Sequence, residues 1–210
     1  MTQIPGSRPE DWSTHTHVWA DVVDLEHLAE IRERSADLSL EHLVMEVLAY
    51  ADDEAKERGI PGTVTVTIDN EQVSVDDDGR GTETRRTADG VVVRKPVMST
   101  RDVRFYGQDS APTLPDGLPR RGMSTVAALT EALVHENHRL EGSWTQRYRF
   151  GVPDERLQEI PYRGHTGTVV TFSTSNTSRL NLASLAAPLA RFPHLDASLI
   201  DARKPPTAPY

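Results

Sequence analysis

The 210-residue sequence has no cysteine, which excludes disulfide cross-links, thiolate metal sites and thiol nucleophiles. A cysteine-free chain suits a reducing compartment, and the cytoplasm is the expected location. Long apolar runs are also missing: no stretch approaches the roughly 20 residues that cross a bilayer as a helix, so no membrane partner is expected. Residues 1–9 lack the apolar core of a signal peptide. Positive charge is scarce, with 23 Lys and Arg against 32 Asp and Glu and a formal net charge of −9. Such a surplus of carboxylates repels a phosphate backbone, and direct nucleic-acid binding by this chain is not expected. Aromatic residues make up only 6%, so the core has to be aliphatic.

What is present is enough for one substantial core in a single domain, residues 23–203, flanked by a polar arm (1–22) and a Pro-rich tail (204–210). The arm carries Trp12, His15, His17 and Trp19 without a period. Its two histidines have no carboxylate cluster nearby in sequence, so no metal site is expected. Leu25, Leu28 and Ile31 recur at helical spacing and predict a short amphipathic helix over 25–34. Ser39 is placed to cap a second helix whose apolar stripe runs Leu40, Leu43, Val44, Val47, Leu48 and Ala51. Beside that stripe, Glu46, Tyr50 and Asp53 share a face that can look into a cleft. Gly59-Ile60-Pro61-Gly62 ends the helix.

Two β-branched runs, 63–69 and 72–75, then predict a hairpin. It delivers Asp76-Asp77-Asp78-Gly79-Arg80-Gly81, a run of carboxylates followed by glycines that let a backbone approach a ligand closely. By itself the run reads more readily as a solvated acidic turn closing a hairpin. Residues 82–116 are weakly patterned and read as a lid, with Val91-Val92-Val93 a short strand or helix start. Gly117-Leu118-Pro119-Arg120-Arg121-Gly122 precedes a helix predicted from Met123 to about Leu133, and glycines before a helix N-terminus suggest an anion loop. Residues 134–140, 144–150 and 167–172 read as antiparallel strands. A helix over 180–191 and a short strand near 197–200 close the sheet.

In this order, a helix with an inward Glu, a strand ending in Asp-Asp-Gly-Arg-Gly, a glycine loop entering a helix and the strand Gly167-Thr168-Val169-Val170-Thr171-Phe172 resemble a known family. It is the GHKL (Bergerat-fold) ATPase domain of the B subunits of DNA gyrase and topoisomerase IV. The resemblance runs from about residue 25 to 203 and describes a shortened, divergent, stand-alone version with no transducer domain. It implies an α/β two-layer sandwich, with a mixed, mostly antiparallel sheet covered on one face by helices. It also implies ATP as ligand, and roles for individual residues. Glu46 takes the place of the general base that activates water. Tyr50 replaces the asparagine that holds magnesium, which argues against a magnesium ion bound in the usual way, and Ala49 replaces an aspartate. Asp77 takes the place of the carboxylate that accepts from the adenine amino group, followed by Gly79 and Arg80 as in the family. Thr168 supports the same contact, Met98 flanks the base and Arg139 stands at the pocket mouth.

Elsewhere the pattern departs from the family. The phosphate loop, Gly117 to Gly122, loses its central glycine and gains Pro119, Arg120 and Arg121, whose side chains would have to bind an anion in place of backbone N–H groups. Thr82-Glu83 replaces an Ile-Pro pair, and the Gly-Gly-Lys segment expected around 103–108 is absent. The reading is therefore an ATP-binding domain with weak or absent hydrolysis and no strand passage on its own, a monomer or weak homodimer. The alternatives are a protein that binds, or acts enzymatically on, a non-nucleotide heteroaromatic molecule in the same pocket, or a gyrase-related decoy. In an enzymatic version, Glu46 and Tyr50, one helical turn apart, would form an acid/base pair.

Overall fold

Local sequence signals start and stop the two predicted N-terminal helices in the computed structural model, which describes residues 23–83, 85–86, 92–93, 97–105, 111–154, 156–173 and 180–203. The arm, the tail and parts of the 82–116 segment, Val91 among them, lie outside the described residues. Helix α1 is Leu25–Arg34, capped by Asp24, whose side chain accepts from the His27 N–H. Helix α2 is Leu40–Arg58. The Ser39 hydroxyl accepts from the His42 N–H at its start, and Gly59, at φ 68°, turns the chain out of its end in the left-handed conformation that glycine tolerates.

The strands follow as β1 (Gly62–Ile68), β2 (Val73–Asp77), the two-residue pair β3 (Arg85–Arg86) and β4 (Val92–Val93), and after helix α3 (Met123–Leu129), β5 (Ala132–His138), β6 (Ser143–Arg149), β7 (Val152–Pro153), β8 (Gln158–Ile160) and β9 (Gly167–Ser173). Helix α4 (Leu182–Leu189) leads to β10 (Leu195–Asp201). The main sheet has the order β10-β1-β2-β9-β5-β6-β7, with β8 also on β6. It is mixed and mostly antiparallel, since among the described residues only β1 and β10 pair in parallel. Strands β9 and β10 consequently run the same way, and α4 supplies the crossover that two such strands need.

Three boundaries differ from the sequence expectation. The helix predicted to reach Leu133 stops at Leu129: Thr130 is extended, its hydroxyl turns back onto the Val126 carbonyl, and Glu131 already donates to Ser173. Ala132, Leu133 and Val134 form a short apolar run that fits helix or strand, and pairing with β9 decides for strand. The final helix is shorter than 180–191 because Asn181 caps its start. The last strand is longer than expected and pairs along seven residues of β1.

Strand β1 shows how the layers form. Val64, Val66 and Ile68 are fully buried under α2, while the intervening threonines face the other side. That open face is polar, with hydroxyl pairs Thr65–Ser198 and Thr171–Ser74 both at 3.1 Å. The covered face holds Leu43, Val44 and Leu48 of α2 against Val75, Leu133, Val170 and Phe172. Each such side chain contributes about 1.5–3 kcal/mol on full burial. The chain is thus a two-layer α/β sandwich, its mixed sheet covered on one face by helices. Among the described residues, no helix is long and apolar enough to cross a membrane.

Candidate functional site

Between α2 and the ends of β2, β9 and β5 lies a cavity of about 540 Å³. Its charged lining consists of Asp53, Glu54, Glu57, Asp77 and Glu83 against Arg80, Arg104 and Arg139, and Val47, Val97, Met98 and Val170 form apolar walls. Strand alternation places Asp77: Val75 packs in the core, Asp76 faces outward to a bidentate pair with Arg163 (2.7 and 2.9 Å), and Asp77 returns to the covered face. Its carboxylate accepts from the Gly79 N–H at 2.8 Å and from the Thr168 hydroxyl. Burial pushes its pKa above the usual carboxylate range, and the bonds from Thr168 and Gly79 offset that only in part. Glycine is required beside it: a Cβ at Gly167 would lie 1.9 Å from the Asp77 carbonyl oxygen, and one at Gly79 would lie 2.8 Å from the Asp77 carboxylate.

The Gly-Arg-Gly turn beyond Asp77 is held on both sides. Arg80 pairs with both oxygens of Glu54 on α2 (2.5 and 3.0 Å) and with Glu57 (3.1 Å). On the far side Arg139 donates to the Gly81 carbonyl (3.2 Å) and to Glu141 (3.2 Å), and the Thr82 N–H donates to Asn137 (2.6 Å). Met98 is buried in the wall. Asp77, Gly81, Arg80, Met98, Arg139 and Thr168 therefore converge on one space, with Gly79 beneath it.

The α3 end is built differently. The Tyr50 hydroxyl donates to Asp102 at 2.7 Å. Arg104 chelates Asp102 and reaches Asp53 at 3.2 Å, while Arg120 reaches the same Asp53 oxygen at 2.8 Å. Both guanidiniums lie over the rings of Tyr50 and Phe105, Arg120 at 4.6 and 4.5 Å. Burial and the Asp102 charge hold the Tyr50 phenol above its ordinary range. Asp102 is pushed up by burial, but Arg104 and Tyr50 outweigh this and hold it below the usual range.

Glu46 is fully buried and does not line the cavity. Its oxygens accept from the Arg121 and Gly122 N–H groups (2.5 and 2.9 Å), and His42 Nε2 stands 3.3 Å away. Glu46 thus faces the start of α3, and it shares no open space with the Tyr50 hydroxyl. Nor do the residues of the predicted anion loop converge: Gly117 sits in an exposed turn at φ 88°, Arg120 lies behind the Tyr50 ring, and Arg121 donates to Ser35 (2.8 Å). Gly122, at φ 96°, packs against Tyr50 and Asp102.

Three contributors escaped the sequence reading. His135 lines the cavity beside an edge-on Trp144, at 5.0 Å between ring centroids, and was detectable because it shares one face of β5 with buried Leu133 and Asn137. Asp102 and Arg104 lie in an irregular segment with no periodic signal.

Among the described residues no group of three or more His, Asp or Glu is placed to hold a metal ion. Tyr50 lacks a carboxamide oxygen and its hydroxyl is committed to Asp102, so the residues present do not fit a magnesium ion held from this helix position.

No family model matches the chain. It is 34% identical over 158 residues to the B subunit of DNA topoisomerase 4 from Staphylococcus epidermidis, a match covering 70% of this chain. It is 32% identical over 161 residues to the DNA gyrase B subunit of Mycobacterium tuberculosis, and 31% identical over 163 residues to that of Mycobacterium leprae, each match covering 73% of this chain. In each case the match spans about a quarter, 24%, of the relative's length.

Proposed function

Because the chain resembles the GHKL ATPase domain of the B subunits of DNA gyrase and topoisomerase IV, we propose that it binds an adenine-type ligand in the cavity over Asp77, with weak or absent ATP hydrolysis. The observation that carries this reading is the enclosed Asp77 carboxylate at the base of an apolar-walled cavity, an acceptor for an amino-substituted heteroaromatic ring. Met98 and Val170 supply the walls, Thr168 orients the carboxylate and Arg139 stands at the mouth. Weak hydrolysis follows from Glu46. A general base has to reach the attacking water, and both Glu46 oxygens are engaged by backbone N–H groups at the start of α3.

The test is Asp77→Asn in calorimetric titration with adenosine and ATP. Replacing a charged acceptor is expected to weaken binding by roughly 10–100-fold, corresponding to about 1.5–3 kcal/mol for a hydrogen bond to a charged group. Unchanged affinity would remove Asp77 from recognition.

A second reading, a non-nucleotide heteroaromatic ligand, is favoured by the commitment of every lining arginine among the described residues to a protein carboxylate. Tight binding of a gyrase B-site inhibitor together with failure to bind adenosine would decide for it. Under either reading the chain acts on a small molecule, as a monomer or weak homodimer, without contacting nucleic acid itself.

A further inference from the structure

The cations that line the cavity are paired within the protein, and this bears on the ligand's charge. We propose that this site selects a nucleoside-like, uncharged amino-heteroaromatic and discriminates against its phosphorylated forms. The inference rests on the adenine reading given above and specifies its ligand class. Binding a polyphosphate requires unpaired cations or free backbone N–H donors. The three lining arginines are spent within the protein: Arg80 on Glu54 and Glu57, Arg104 on Asp102 and Asp53, Arg139 on Glu141 and the Gly81 carbonyl.

Backbone donors are spent as well. Glu46 takes the Arg121 and Gly122 N–H groups, and the Met123 N–H points at the Tyr50 hydroxyl at 3.4 Å. Among the described residues five carboxylates and three guanidiniums line the space, so their charge balance is negative. Among the described residues an added anion would meet repulsion and find no unpaired guanidinium in the lining to offset its desolvation.

Among the described residues Arg120 is a reserve of positive charge. Arg120 is 6% exposed, and its Nε and Nη2 are buried without a hydrogen-bond partner. It does not line the cavity, because the Tyr50 ring lies across its guanidinium. Tyr50 therefore acts as a partition between an amino-heteroaromatic pocket and a cation that would otherwise serve a phosphate. This makes Tyr50 a specificity-determining residue.

Calorimetric titration of the full chain with adenosine, AMP, ADP and ATP, with and without magnesium chloride, tests the inference. Adenosine is expected to bind at least ~10-fold more tightly than ATP, magnesium is expected not to reverse the order, and the gap should narrow at about 0.5 M salt as charges are screened. Tyr50→Ala should open the Arg120 donors and shift the ATP-to-adenosine affinity ratio upward by roughly 10-fold. Should that variant melt too early to titrate, Asp53→Asn removes the carboxylate shared by Arg104 and Arg120 and should move the ratio the same way. ATP binding as tightly as adenosine would overturn this inference and leave the adenine reading standing. If none of the four ligands binds, the adenine reading falls and takes this inference with it.

Discussion

Two buried histidines, His27 and His42, respond to pH in opposite senses. His27 bonds the Ser124 hydroxyl at 2.9 Å, and burial followed by the nearby Arg101 charge lowers its pKa to about 4. Its native form stays neutral while the unfolded chain takes up a proton below about pH 6.5, so stability is lost as pH falls from there toward 4. Burial opposes charge on His42 too, but Glu46 and Asp116 outweigh it, and its pKa is raised. The His42 contribution is therefore fully present below about pH 6.5 and lost as pH rises through the raised value. Thermal melts across pH should separate the two. His27→Gln is expected to flatten the acid limb between about pH 6.5 and 4, and His42→Gln to lower stability most at about pH 6 and least in alkali. A pair of variants with identical pH profiles would refute the assignment.

At the scale of elements, a buried carboxylate ties α2 to the start of α3. Helix α3 has no side-chain cap of its own, and Glu46, on the neighbouring helix, accepts from the N–H groups of Arg121 and Gly122, the two residues that lead into it. Glu46→Gln keeps the shape but leaves one acceptor oxygen where two are used. The expected cost is about 1–3 kcal/mol, read as a lower melting temperature with no change in adenosine affinity, since Glu46 lies off the cavity. A neutral effect on stability would show that α3 finds another cap. The sequence revealed part of this joint. The Ser39 cap, the apolar stripe of α2 and the Gly59 stop are local signals, and they were readable. The engagement of Glu46 was not, because its partners are backbone groups 75 and 76 residues away. The same holds for Asp102, which meets Tyr50 across 52 residues of chain, and for Leu133, whose strand identity comes from β9.

Across the whole molecule, closure of the sheet depends on its last strand. β10 shields the β1 edge along seven residue pairs, and Ala202 donates to the Ile68 carbonyl beyond them. Ending the chain after His194 would expose an edge strand that carries Val64, Val66 and Ile68, a template for aggregation. Such a chain is expected to lose its cooperative thermal transition and to precipitate, as followed by circular dichroism and light scattering. A soluble, cooperatively melting product would show that the remaining strands suffice. The parallel sense of β10 was not legible in its residues, since it follows from the α4 crossover, whereas the alternation of β1 and β2 that aims Asp77 inward was. The edge-on contact between Trp144 and His135 has a further consequence. An indole buried to 3% exposure sits one side chain away from the ligand space, so occupancy of that space becomes an optical event, visible as a change in tryptophan emission without any attached dye.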